Sequence, residues 1–247
     1  MLVFWSIVIG LFGLIIGSFL NAVLWRLKVR KSVLRGRSMC PRCRRTLQPI
    51  ELIPLVSFFL QRGRCRRCRK PISWWYPGIE LATALLFLAS WFRFGPTGPF
   101  FVDLAVFPFL ILIFTYDARQ SLILDRISLP GAVLALAGNL LLGLSFWYLM
   151  LGAILGAGFF GVQYLLSAGR WVGGGDIRLG LLMGCFLGWP SILLALCLAY
   201  FSGSVVGVIL IATKRKKWQS AMPFGTFLTV ATVLIHLYGY RILYYFS

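Results

Sequence analysis

Long apolar segments separated by short polar connections make up most of this chain. Because a bilayer span takes about 20 apolar residues, the pattern predicts an all-α polytopic membrane protein with about eight transmembrane helices. The sixth segment is short, and Trp189-Pro190 predicts a turn between it and the seventh. The eight segments are residues 2–24, 78–94, 100–117, 127–145, 147–167, 177–189, 191–212 and 220–243.

Charge divides unevenly between the two predicted sides of the membrane. The 247 residues include 25 Lys and Arg but only six Asp and Glu, and 60% of them are hydrophobic. Residues 26–77 contain many of the bases, and the last connection adds Lys214, Arg215, Lys216 and Lys217, whereas only Arg93 and Arg241 fall on the opposite side. The positive-inside rule therefore predicts that the N-terminus lies outside and that residues 26–77 lie in the cytoplasm.

The same bases suggest which partners to expect. Clustered Lys and Arg at a membrane surface favour contact with anionic lipid head groups. The basic runs 26–45 and 62–70 contain no interleaved aromatic residue on which bases would stack, so nucleic acid is not an expected partner.

Residues 26–77 are predicted to form a small insert between the first helix (1–25) and the remaining bundle (78–247). The insert contains two CxxC pairs, Cys40 with Cys43 and Cys65 with Cys68. Four thiolates in two such pairs are typical of a closed, structural zinc site. An iron–sulfur cluster remains an alternative, and disulfides fit poorly in a reducing cytoplasm.

Two acids distant in sequence are predicted to reach the same membrane boundary. Asp117 ends the third segment, and Asp176, preceded by three glycines, begins the sixth. Taken singly, Asp176 and Asp125 are interpreted as helix caps and Asp103 as an interfacial residue. Taken as a pair, Asp117 and Asp176 suit aspartyl hydrolysis, because two close carboxylates share one proton.

The sequence gives little support to other classes of hydrolase. Its one histidine, His236, has no evident serine partner and is interpreted as a packed or interfacial residue, and no HExxH zinc motif occurs. A transporter or channel that uses membrane acids as a relay remains an alternative, as does a zinc-dependent scaffold of a secretion assembly.

Six motifs follow one another along almost the whole chain. They are GSFLNAVLWRL (17–27), PIELIPLVSFF (49–59) between the CxxC pairs, YPGIELATALL (76–86), YDARQSLILDRISLP (116–130), GGGD (173–176) and MPFG (222–225). In this order they resemble the motifs of the bacterial type IV prepilin peptidases.

The resemblance implies a helical membrane bundle that acts as a GxGD-type aspartic protease. Such an enzyme removes the basic leader from prepilins or pseudopilins of type IV pilus and type II secretion systems. It works on the cytoplasmic side of the bacterial inner membrane, with Asp117 and Asp176 as the catalytic pair. Many members then methylate the new N-terminus with S-adenosylmethionine. That second activity is associated with the insert, where Gly63 is the candidate residue.

The chain departs from the family pattern at a few positions. Arg119 replaces a second acid of the first aspartate motif, so Asp125 is assigned a supporting role. Leu52 replaces an asparagine while Glu51 remains, and Arg178 preserves the charge of a lysine. The change at Leu52 lies in the insert, so it bears on methylation more than on proteolysis.

Recognition of a basic leader by a basic protein requires a separate explanation. One hypothesis is that Glu51 and Glu80, acids on the cytoplasmic side, contact the bases of the leader. The other is that anionic lipid holds the leader while the enzyme recognises the cleavage junction. For either glutamate, a structural role as a cap or in a salt bridge to a nearby arginine is a further alternative.

Overall fold

The computed structural model describes residues 1–29, 32, 36–213 and 222–246, and their ordered elements are helical. The basic connection with Lys214, Arg215, Lys216 and Lys217 lies outside the described residues. The helices are α1 (Leu2–Lys28), α2 (Val56–Leu60), α3 (Trp75–Phe94), α4 (Gly98–Gln120), α5 (Asp125–Leu141), α6 (Phe146–Ser167), α7 (Gly174–Leu187), α8 (Ser191–Ala212) and α9 (Phe224–Phe246), with a short 3₁₀ helix at Pro49–Leu52.

Each of the eight predicted segments corresponds to one long helix, which confirms the all-α fold class. Four of these helices, α1, α4, α6 and α8, are long and apolar enough to cross a membrane by length and composition. The count of eight spans therefore remains a prediction, whereas the four apolar helices agree with a multi-pass membrane protein. The predicted turn at Trp189-Pro190 is confirmed, because α7 ends at Leu187 and α8 begins at Ser191.

The chain divides into two compact units, Met1–Pro96 and Thr97–Ser247. The expected boundary at residue 78 stays a prediction, and within the first unit α3 packs against α1. Glycines of α1 permit that packing: a Cβ on Gly13 would lie 2.6 Å from Ala84 Cα, and one on Gly17 would lie 2.6 Å from Glu80 Cα. A side chain at either position would push the two helices apart.

In the second unit, α6 and α7 are in backbone contact. Gly152 and Gly156 of α6 face Gly184 and Gly180 of α7 so closely that a Cβ on any of the four would overlap backbone of the opposite helix. Small residues let helix backbones approach in this way within membranes. The short helix α7 is thereby packed firmly, and its first turn carries Asp176.

A buried polar contact joins α4 to α9 far from the ends that carry the candidate site. Asp103 is fully buried and its Oδ1 lies 2.7 Å from His236 Nε2. The imidazole stacks on Phe186 of α7 with ring centroids 4.2 Å apart. Asp103 lies near the N-terminal end of α4, so its expected position at the membrane interface stays a prediction. His236 supplies a polar partner for Asp103 within the apolar bundle.

Candidate active site and metal centre

Asp117 occupies the last turn of α4 and is only 4% exposed. Its Oδ2 accepts a hydrogen bond from the backbone N–H of Thr226 over 2.9 Å. Thr226 directly follows the MPFG motif and lies in the first turn of α9, whose unsatisfied N–H groups favour a carboxylate. The predicted catalytic aspartate is thus held by a motif 109 residues further along the chain.

Asp176 occupies the first turn of α7. Its Oδ2 accepts the backbone N–H of Gly173 over 2.9 Å. Gly173 occupies the N-cap position and Asp176 the third helical position, so the expectation that Asp176 is the N-cap is wrong. The charge of Asp176 acts on Asp117, and Ile123 packs against Gly175, next to Asp176, and against Gly225, next to Asp117. The C-terminal end of α4 and the N-terminal end of α7 therefore place the two aspartates in the same region.

Ile123, in the connection after α4, packs between the two glycine motifs. A Cβ on Gly175 would lie 2.8 Å from Ile123 Cβ, and a Cβ on Gly225 would lie 3.0 Å from Ile123 Cδ1 and 2.9 Å from Asp117 Oδ2. Both glycines are therefore needed for close approach. The contacts bring three separate sequence motifs together around the aspartates.

An ion pair next to the aspartates joins α7 to α5. Arg178 Nη1 lies 2.8 Å from Asp125 Oδ1, and both side chains are about half exposed. Asp125 is the first residue of α5 and makes no side-chain capping bond, so the expectation that it caps this helix is wrong. Leu124 occupies the N-cap position, and Asp125 pairs with the guanidinium instead.

Sequence reasoning missed two residues of this region, Thr226 and Tyr200. Tyr200 of α8 interacts electrostatically with Asp176, and its hydroxyl donates to Gln163 Oε1 over 3.0 Å. Its ring packs edge-on to Phe224, with centroids 4.8 Å apart. No local motif marks Tyr200, because its position depends on packing between α6, α8 and α9. Its hydroxyl adds a polar group to a largely apolar site.

The four predicted metal ligands come together in the insert. The thiol groups of Cys40, Cys43, Cys65 and Cys68 all lie within 4.8 Å of one another, and the Sγ atoms of Cys40 and Cys68 are 4.0 Å apart. Sulfurs that bind one zinc ion tetrahedrally at 2.3 Å would be separated by about 3.8 Å. The cluster therefore fits a closed four-thiolate metal site with only small adjustment.

The two CxxC pairs adopt the same backbone structure. The N–H of Cys40 donates to the Arg45 carbonyl, and the N–H of Cys65 donates to the Lys70 carbonyl at the equivalent position. Burial raises the pKa of Cys40 to about 11, whereas a hydrogen bond from the Cys68 backbone lowers the pKa of Cys65 to about 7. A bound cation would favour the thiolate form of all four.

Both glutamates proposed to contact the leader are buried in the first unit. Glu51 forms an ion pair with Arg45, lies 4.0 Å from Arg66 Nε, and accepts the Gln48 N–H over 2.8 Å. Since Arg45 and Arg66 belong to the two CxxC turns, Glu51 connects them. Its carboxylate is 1% exposed and is not presented to solvent.

Glu80 and Gly63 also have structural roles in the first unit. Glu80 accepts the Leu55 N–H over 2.8 Å and so attaches the insert to α3. Gly63 has a φ of +64°, and a Cβ there would lie 3.2 Å from the Phe58 ring. Glycine is thus required at the turn that enters the second CxxC pair.

Comparison with known proteins agrees with this geometry. Residues 11–94 match the bacterial peptidase A24 N-terminal domain, and residues 104–208 match the type IV leader peptidase family. A relative from Bacillus subtilis, a prepilin leader peptidase/N-methyltransferase, is 35% identical over 240 residues, which are 97% of this chain and 96% of that protein. The chain belongs to the type IV leader peptidase family.

Other relatives in the family carry the same description. The protein from Myxococcus xanthus is 37% identical over 82% of this chain and 62% of its own length. The protein from Aeromonas hydrophila is 31% identical over 93% of this chain and 89% of its own length. No solved structure matches the chain significantly. The two family matches meet near the boundary between the compact units, which supports that division.

Proposed function

We propose that this protein is a membrane-embedded aspartic endopeptidase that removes the basic leader peptide from type IV prepilins or pseudopilins. The observation that carries the proposal is the meeting of Asp117 and Asp176 with the GGGD and MPFG motifs at one set of helix ends. Relatives described as prepilin leader peptidases support the substrate class. A transporter or a scaffold would not require this convergence.

The chemistry follows from two aspartates that hold one proton between them. The ionised carboxylate removes a proton from water, and the resulting hydroxide attacks the scissile carbonyl carbon. The protonated carboxylic acid donates its proton to the carbonyl oxygen. Collapse of the tetrahedral intermediate then breaks the C–N bond: the departing amine takes the proton that the first carboxylate removed from water, and the second carboxylate recovers a proton from a hydroxyl of the gem-diol as the new carboxyl group forms. The Thr226 N–H orients Asp117 in this scheme.

The insert is proposed to serve a second reaction, methylation of the new N-terminal amine. S-adenosylmethionine would supply an electrophilic methyl group, and the names of the relatives include an N-methyltransferase. Gly63 is the candidate binding residue in the insert. The Cys40, Cys43, Cys65 and Cys68 cluster would hold a structural Zn²⁺ that keeps the two CxxC turns together.

The proposed location is the bacterial inner membrane, with the insert and the catalytic aspartates on the cytoplasmic side. The basic insert supports this orientation. Because Glu51 and Glu80 are engaged in internal contacts, we assign them supporting roles. Anionic lipid, rather than these acids, would then hold the basic leader.

The experiment is co-expression with a prepilin, followed by separation of precursor and mature forms on a gel. Asp117→Asn and Asp176→Asn should each abolish leader removal while the protein still accumulates in the membrane. Cys197→Ser, which changes an exposed residue of α8, serves as the control and should process normally. Full processing by either aspartate variant would refute the assignment. Mass spectrometry of the mature pilin would then test methylation, which adds about 14 Da.

A further inference from the structure

The insert exposes a set of large apolar side chains that the metal site and the aspartates do not explain. They lie in residues 50–60 and at Trp74, and we call them the apolar face. Its members are Ile50, Leu52, Ile53, Val56, Phe59, Leu60 and Trp74, each 40–71% exposed. A concentration of exposed apolar residues on a small polar domain marks an interaction surface.

The apolar face belongs to an ordered part of the insert, because neighbouring residues of α2 point in opposite directions. Phe58 is buried, and its ring packs against Trp74 with centroids 5.0 Å apart. The next two residues, Phe59 and Leu60, are 62% and 66% exposed. Helix α2 therefore has one side inside the insert and one side outside.

Two hydrogen bonds attach residues 50–60 to α1 and α3. The Leu55 N–H donates to Glu80 of α3 over 2.8 Å, and Ser18 Oγ of α1 lies 3.5 Å from the Leu52 carbonyl oxygen. Ser18 lies inside the first predicted span, about 9 Å along the helix from its cytoplasmic end. Glu80 lies just inside the second predicted span. Residues 50–60 are thus held at the depth where both helices reach the membrane boundary.

Basic side chains accompany the apolar face. The two CxxC turns, on either side of it in sequence, present exposed Arg42, Arg44, Arg62, Arg67 and Lys70. Apolar residues that include Phe and Trp, combined with Lys and Arg, are typical of segments that lie in the interface of an anionic membrane. The occupant that matches this composition and depth is lipid.

We propose that residues 50–60 and Trp74 form a monotopic anchor that seats the insert in the boundary between head groups and acyl chains of an anionic bilayer. The anchor rests on the proposed orientation of the protein, which places the insert on the anionic cytoplasmic leaflet. It explains why a basic, metal-binding insert exposes Phe59, Leu60 and Trp74. It adds a third attachment to the membrane, besides α1 and α3.

The test uses the full chain in lipid nanodiscs and requires no substrate. The photo-crosslinking amino acid p-benzoylphenylalanine replaces Phe59, and a matched version carries it at the neighbouring Phe58, which is buried. After irradiation, mass spectrometry identifies adducts with lipid. We expect lipid adducts at position 59 in several-fold higher yield than at 58.

Several results would overturn the anchor. Equal lipid labelling at 58 and 59, or no lipid labelling at 59, would show that the apolar face does not meet the bilayer. Crosslinks from 59 to residues 97–247 or to an added prepilin would identify a protein as its occupant. The test stays separate from the peptidase proposal, because inactive Asp117→Asn protein should give the same labelling pattern.

A second arm tests the anionic character of the bilayer. Nanodiscs of zwitterionic lipid alone are compared with nanodiscs that contain phosphatidylglycerol. The labelling yield at 59 should be higher with the anionic lipid, and added salt should reduce that difference. Equal yields in both lipids would overturn the contribution of the basic residues.

Discussion

The backbone N–H of Thr226 donates to Asp117 Oδ2 over 2.9 Å, which connects the start of α9 to the end of α4. Because a helix N-terminus stabilises a negative charge, the contact holds the Asp117 carboxylate and also fixes its orientation. The MPFG motif thereby has a definite role: it ends in Gly225, whose missing side chain lets α9 approach the aspartate.

This contact makes Gly225→Ala a sensitive probe. A Cβ there would lie 2.9 Å from Asp117 Oδ2 and 3.0 Å from Ile123, so we expect cleavage to slow by roughly 10²-fold through displacement of the carboxylate. Gly158→Ala is the matched control, since nothing lies within 4 Å of its added Cβ. Thr226→Ala keeps the N–H donor and should remain active. Steady-state cleavage of a purified prepilin measures all three, and normal activity of Gly225→Ala would contradict the assigned contact.

The Arg178–Asp125 ion pair should couple in a double-mutant cycle. Because both side chains are about half exposed, we expect the pair to contribute only about 0.2–1 kcal/mol to stability. Arg178→Ala and Asp125→Ala should each lower kcat by roughly tenfold through movement of the first turn of α7, and the double variant should be no worse. The exchanged pair, Arg178→Asp with Asp125→Arg, should recover activity. Additive effects of the two single changes would exclude coupling.

Metal content should depend on four particular cysteines. Elemental analysis of the purified protein is expected to find about one zinc per chain, and serine at Cys40, Cys43, Cys65 or Cys68 should abolish it. Cys197→Ser should retain the metal, because this cysteine lies on α8, outside the cluster. A chelator should expose the insert to proteolysis while leaving leader cleavage measurable. Iron and acid-labile sulfide in place of zinc would favour the iron–sulfur alternative.

The Asp103–His236 pair should contribute strongly to the stability of the second unit. His236→Ala leaves the fully buried Asp103 side chain without this partner, and a buried polar group that loses its partner costs about 1–3 kcal/mol. We therefore expect a clear fall in Tm in detergent. Val230→Ala, which removes an exposed side chain from the same helix, should change Tm little. A small effect of His236→Ala would show that the pair contributes little net stability.

The sequence by itself determined the number and order of the long helices, the four-cysteine cluster and the identity of the two candidate aspartates. These features are local: apolar segments have characteristic lengths, CxxC pairs have a characteristic spacing, and GGGD and MPFG occupy a few adjacent positions. The contact between Asp176 and Gly173 is local too, since it joins residues three positions apart, but the sequence did not show that Gly173 rather than Asp176 occupies the N-cap.

Only the tertiary structure decided how distant residues pair. Thr226 meets Asp117 across 109 positions, Arg178 pairs with Asp125, and Asp103 is buried against His236. These three contacts depend on which helices pack together, and that choice follows from shape and close glycine contacts rather than from any local pattern. For Glu51 the sequence left two roles open, contact with the leader and a salt bridge, and the fold of the insert places it between two arginines.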